Sequence, residues 1–214
     1  MPQDGPAPET YERLRPRVVE TLLDLGAEIG LHASYSAAFD PAQITAEKAE
    51  LERLGATLPG QRYHYLRVDP HANLATLDEL GFLYDSSLGF AEAPGFRAGI
   101  AHPFHPWDLE RDRPLDLIEI PLAAMDVTYA EPRYLGLSVA EGERRILALL
   151  DWAAEHGGGF SILWHPDRFD RATAGGWDAL YARVIDAVHA RGGVCMPAHE
   201  LAAKAAARLA PTAP

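Results

Sequence analysis

The chain has 214 residues, 48% of them hydrophobic and 23% charged, enough for one domain with a sizeable core. Its 31 acidic and 19 basic residues give a net charge of -12 with no basic stripe, which argues against a nucleic-acid partner. A single cysteine, Cys195, excludes an intrachain disulfide, and no apolar run reaches the ~20 residues that span a bilayer.

Met1 to Glu9 is Pro-rich and acidic and lacks the basic and apolar regions of a signal peptide. A cytoplasmic location is therefore expected, with residues 1–12 disordered. A helix is predicted from about Pro16 to Leu25, with Val18, Val19, Leu22, Leu23 and Leu25 on its apolar face. Pro16 suits its first turn and Gly26 suits the residue after its end. Similar glycine stops occur at Gly55, Gly81, Gly157 and Gly192. Ser138 with Glu141 is a capping-box signal for a helix to about Glu155. The Ala-rich stretch from Ala202 to Ala210 reads as a terminal helix, followed by a short tail.

Six apolar runs punctuate these helices and each meets a polar or ionisable residue: Glu28 to His32, Arg62 to Arg67, Phe82 to Asp85, Leu117 to Leu122 leading to Met125-Asp126, Phe160 to His165, and Val194 to His199. Runs of this length between helices read as buried parallel strands. They predict an α/β fold with a mostly parallel sheet in one domain over residues 1–214. Cys195, in the last run, is expected to be a buried, inert thiol. Between Ser86 and Pro114 four prolines and three glycines forbid a long regular element. Loops of this length are often functional.

Chemistry should gather where the strands end. His32 ends its run and could bind a metal ion or bond a nearby backbone group. In a continuous strand Arg62, His64 and Leu66 face one way, and Tyr63, Tyr65 and Arg67 the other. Arg62 and His64 are then site residues turned to a wet cavity, or a salt bridge with Asp85 or Asp69. His165 could protonate a leaving amine or alcohol, or make a structural hydrogen bond. Asp85 and Asp126 also end strands, where a carboxylate is often the N-cap of the next element. Arg97, between Gly95 and Gly99, could bind a carboxylate. His102 and His105 read as loop surface, and Trp107 and Tyr134 as packing or sugar-stacking residues. No phosphate-binding glycine motif and no Gly-x-Ser-x-Gly elbow occurs, which disfavours nucleotide hydrolysis and serine esterase chemistry.

Five segments together resemble the polysaccharide deacetylase superfamily: Glu28 to His32, Arg62 to Tyr65, Tyr84 to Phe90, Gly95 to Gly99 and Leu163 to Pro166. The resemblance implies a distorted seven-stranded β/α barrel and a divalent metal, commonly zinc. It implies removal of N- or O-acetyl groups from a carbohydrate by metal-activated water. By position, His32 resembles the first metal histidine, Arg62 the arginine that orients the base, Asp85 the fourth-motif carboxylate and His165 the general acid. Ser36 stands where the second metal histidine is expected, and His64 is taken as its replacement. Arg97, Tyr65 and Trp164 are expected to bind substrate. The Asp pair of the family's first motif has no counterpart, because only Asp4 and Asp24 precede His32. The barrel is therefore expected to be incomplete at its N-terminus, with an exposed sheet edge that favours self-association. Two competing expectations are a non-catalytic carbohydrate-binding relative and an unrelated metallohydrolase barrel.

Overall fold

The computed structural model describes residues 16–170 and 172–210; the disorder expected for residues 1–12 and the tail at residues 211–214 lie outside the described residues. Among the described residues the helices are α1 (Pro16–Asp24), α2 (Pro41–Arg53), α3 (Asn73–Glu79), α4 (Asp126–Ala130), α5 (Val139–Glu155), α6 (Trp177–Ala190) and α7 (Ala198–Leu209). The strands are short: β1 (Leu31–Ala33), β2 (Gly60–Tyr63), β3 (Tyr84–Asp85), β4 (Trp107–Asp108), β5 (Arg113–Pro114), β6 (Ile118–Glu119), β7 (Leu122–Met125) and β8 (Ser161–Leu163). None of the described helices is long and apolar enough to cross a membrane.

Local chemistry sets the helix starts. Asp40 accepts the Ala42 and Gln43 N–H groups at 3.0 and 3.2 Å ahead of α2, and Pro41 occupies a first-turn position that needs no donor. Ser138 Oγ accepts the Glu141 N–H at 3.3 Å ahead of α5, as the capping signal predicts. The five glycine stops all have positive φ, the left-handed geometry that closes a helix cheaply only without a Cβ.

Four parallel strands form the main sheet in the order β1-β2-β3-β6, leaving β1 and β6 at its ends. A separate parallel ladder joins β7 to β8, and β4 pairs antiparallel with β5 inside the long loop. This is the parallel α/β architecture expected, although these ladders do not by themselves close a ring of seven strands. Helices α1, α2 and α3 bury Val19, Ile44, Leu51, Leu74 and Leu77 against the main sheet, while α5 and α6 pack Ile146, Trp177, Leu180 and Val184 near β7 and β8. Helix α7 lays Ala202 and Ala205 on Tyr84 and Ile118.

Four expectations need correction. The run Arg62 to Arg67 is not one strand: β2 ends at Tyr63, and the chain turns tightly over His64 to Leu66. The run from Leu117 divides at Pro121, which cannot donate to a ladder, so β6 pairs in the main sheet and β7 with β8. The run Val194 to His199 forms no strand and α7 begins inside it at Ala198. Val194 is 72% exposed and Cys195 is an exposed free thiol rather than a buried one, since no described strand pairs with this segment.

Candidate functional site

A cleft of about 600 Å³ opens where β1, β2, β7 and β8 end; its walls include His32, His64, Tyr65, Met125, Tyr134 and His165. The ends of four strands and the stretch after α4, which carries Tyr134, supply these side chains, so the fold rather than local sequence brings them together. Leu66, Leu122 and Met125 form a small apolar cluster with Leu163 and Val127, and four of the five also line the cleft.

Backbone strain shapes one wall. Tyr65 (φ 56°, ψ 18°) and Leu66 (φ 54°) are consecutive left-handed residues and neither is glycine. Each costs roughly 1–2 kcal/mol. The turn points His64, Tyr65 and Leu66 all into the cleft, where a strand would send Tyr65 to the opposite face. Burial of Leu66, 5% exposed, offsets part of that cost.

His32 Nδ1 lies 2.8 Å from the Arg62 carbonyl oxygen, which can only accept, so the ring proton sits on Nδ1. His32 Nε2 is then an acceptor, and His64 Nδ1–H donates to it at 2.9 Å. Burial, then the neighbouring His32 and His165, pushes the His64 imidazole down to about 4, so the ring is neutral at neutral pH. Burial also lowers His32, with Arg62 and His165 adding to the effect against the Arg62 carbonyl bond.

His165 follows β8, and the carboxylate that holds it is Asp126, which follows the adjacent β7. Asp126 Oδ1 accepts His165 Nδ1–H at 2.6 Å and Val127 N–H at 2.8 Å, and its Oδ2 accepts the His165 main-chain N–H at 2.9 Å. Asp126 is fully buried, with Arg168 Nε 3.7 Å from Oδ2 and Arg168 also paired with Glu131. With Nδ1 tied to Asp126, Nε2 is the ring atom of His165 left to serve the cleft.

The other predicted residues lie elsewhere. Arg62 is turned away from the cleft lining, with Nε 2.8 Å from the Ser86 carbonyl oxygen and Nη2 3.0 Å from Ser86 Oγ. Asp85 is fully buried inside the main sheet, where it accepts from Gln61, from Ser87 Oγ at 2.7 Å and from Ser87 N–H at 2.9 Å. His32 and His165 therefore share the cleft, whereas Arg62 and Asp85 bond the neighbouring Ser86 and Ser87 outside its lining. Arg97 is exposed on a turn outside the cleft lining. Trp164 packs against Trp177 and Tyr181 in the second apolar cluster. Ser36 bonds Gln43 at 2.9 Å and is not part of the cleft lining. The sequence places Asp126 at a strand end, as a carboxylate of the kind that often caps the next element, and does not link it to His165. The β7–β8 register of Met125 against Leu163 is the signal that would have placed it beside His165.

A protein zinc site takes three or four N, O or S ligands. Among the described residues no group of three or more His, Cys, Asp or Glu side chains is arranged to hold a metal ion. His32 and His64 supply two imidazoles that are hydrogen-bonded to each other, so the donor set among the described residues falls short of what a resident zinc takes.

No family model matches the sequence, and no curated protein matches it. Among solved structures, the chain is similar to a crystal structure from Mycobacterium smegmatis, provisionally named a polysaccharide deacetylase. The TM-score is 0.67 at 19% identity, covering 90% of this chain and 68% of that one. The parallel strands and the helices packed on them thus have a deacetylase-type fold.

Proposed function

We propose that the chain is a hydrolase of the carbohydrate-deacetylase type, its parallel strands forming an arc of a β/α barrel, and that it removes N- or O-acetyl groups from a carbohydrate. The observation that carries this is His165, held through Nδ1 by the buried Asp126 in the same cleft as His32 and His64. An imidazolium at His165 carries its second proton on Nε2, where a departing amine or alkoxide can take it. The water that attacks the acetyl carbonyl gives its proton to His165 Nε2, which passes it to the leaving amine or alkoxide as the tetrahedral adduct collapses. The products are acetate and the freed amine or alcohol. Tyr65 and Tyr134 supply the aromatic surface that a sugar ring needs, and Arg133 adds positive charge to the wall.

The test is acetate release from tetra-N-acetylchitotetraose and from an O-acetylated xylo-oligosaccharide, by the wild type and by His165→Gln, with chelator or with added zinc. The wild type should release acetate, and His165→Gln should lose at least ~100-fold of that rate. No release from either substrate under any condition would sink the hydrolase assignment. Stimulation by zinc that chelator reverses would make the His32–His64 pair part of a metal site after all.

The absence of a three-ligand metal group among the described residues favours one second reading, a carbohydrate-binding relative without catalysis. It predicts calorimetric binding of the same oligosaccharides with no acetate released.

A further inference from the structure

We propose that Arg67 is a positioning residue: its guanidinium, clamped between two aromatic rings, holds the left-handed Tyr65–Leu66 turn so that the Tyr65 ring faces the sugar. This rests on the carbohydrate-directed function proposed above.

Three independent observations meet at Arg67. Its Cζ lies 4.0 Å from the centre of the Tyr35 ring and 4.2 Å from that of Phe39, and its Nη1–H donates to the Tyr35 carbonyl oxygen at 3.3 Å. Among the described residues it makes no ion pair, in a chain with 31 acidic residues. Aromatic faces and a carbonyl therefore hold this cation, and a carboxylate does not. Its main-chain N–H closes the turn by donating to the His64 carbonyl oxygen at 3.2 Å.

The clamp continues into the cleft. Tyr35 meets Tyr65 edge-on with ring centres 5.9 Å apart, and Tyr65 meets His64 edge-on at 4.4 Å. Tyr65 is 45% exposed, so burial does not hold it in its strained conformation as burial holds Leu66. A glycine at position 65 would remove the backbone strain and with it the ring. Strain kept at a half-exposed aromatic on a cleft wall is what a ligand-facing role requires.

The experiment combines Arg67→Met, Arg67→Lys and Tyr65→Gly. It measures the calorimetric affinity for tetra-N-acetylchitotetraose, the melting temperature and the imidazole nitrogen resonances of His64. Arg67→Met should weaken affinity at least tenfold and shift the His64 resonances, and Arg67→Lys should fall between it and the wild type. Tyr65→Gly should weaken affinity at least tenfold while melting no lower than the wild type. The proposal is overturned if Arg67→Met leaves the His64 resonances unmoved, or if Tyr65→Gly melts lower or binds as the wild type does. Should the wild type bind no acetylated sugar, the proposed function fails. The His64 resonances of Arg67→Met and the melting of Tyr65→Gly then still decide whether Arg67 holds a strained turn.

Discussion

Asp126 faces three N–H donors with two oxygens, and an amide cannot replace it. In Asp126→Asn, an oxygen kept at Oδ1 still accepts from His165 Nδ1 and Val127, but the new NH₂ then meets the His165 main-chain N–H head-on. The flipped amide does worse, because it opposes the other two donors. The buried carboxylate charge beside Arg168 also disappears. The variant should lose about 10²–10⁴-fold in acetate release and on the order of 1–3 kcal/mol in stability, read by the same assay and by a denaturant titration. Near-wild-type acetate release from a folded variant would remove Asp126 from the chemistry. His32 and His165 were legible in the sequence because each ends an apolar run. The family resemblance favoured Asp85 over Asp126, although both end strands and only the ladders show which one neighbours His165. The left-handed geometry at Tyr65 and Leu66 was hidden too, because no glycine or asparagine marks it.

Among the elements, α7 begins without a side-chain cap from Pro197, and the cap arrives from the far end of the chain. Glu28 Oε2 accepts the His199 main-chain N–H at 3.2 Å and lies 3.0 Å from His199 Nδ1, while Oε1 accepts the Tyr84 hydroxyl at 2.7 Å. A carboxylate there meets the positive end of a helix. Burial pushes the Glu28 carboxyl up, but the hydrogen bonds from Tyr84 and His199, with the charge on His199, outweigh it and the net shift is downward. A carboxyl lowered in the folded state stabilises above its unfolded value, about 4.5, and that stability fades as pH falls through the folded value. Glu28→Gln should therefore melt lower than the wild type at pH 7, by on the order of 2–4 °C, the scale of one lost cap. The gap should close as pH falls below about 4.5, in melts recorded from pH 7 to pH 3. A constant gap across that range would show that the carboxylate charge is not what docks α7. Glycine stops made the helix ends readable in the sequence. The last apolar run misled because alternation and apolarity describe a strand only when a neighbouring strand is there to pair with it.

Across the molecule, the alternation of helix and parallel strand was readable, whereas the division into separate ladders at Pro121 was not, because pairing is decided between distant segments. That pairing builds a buried polar row that no local pattern announces. Gln61, Asp85 and Glu119 stand in register on β2, β3 and β6, all essentially without exposure. Glu119 Oε1 accepts the Leu88 N–H at 3.0 Å, and Oε2 is buried without a partner as a carboxylate. A proton on Oε2 supplies one, by donating to Asp85. Burial, reinforced by the Asp85 charge, accordingly raises Glu119 well above the ordinary carboxylate range, and burial raises Asp85 too. An acid raised in the folded state stabilises below its unfolded value and loses that contribution as pH rises. Glu119→Gln keeps the acceptor for Leu88 and the donor for Asp85 but cannot ionise. Below pH 4 the variant and the wild type should melt together, and above that the variant should become progressively more stable. At pH 8 an advantage on the order of 2–4 °C is expected, the scale of 1 kcal/mol in a chain of this size. Melting curves between pH 3.5 and pH 8 decide the matter: a variant that melts lower at pH 8 would mean that Glu119 is ionised in the folded sheet, its charge held there by Arg62.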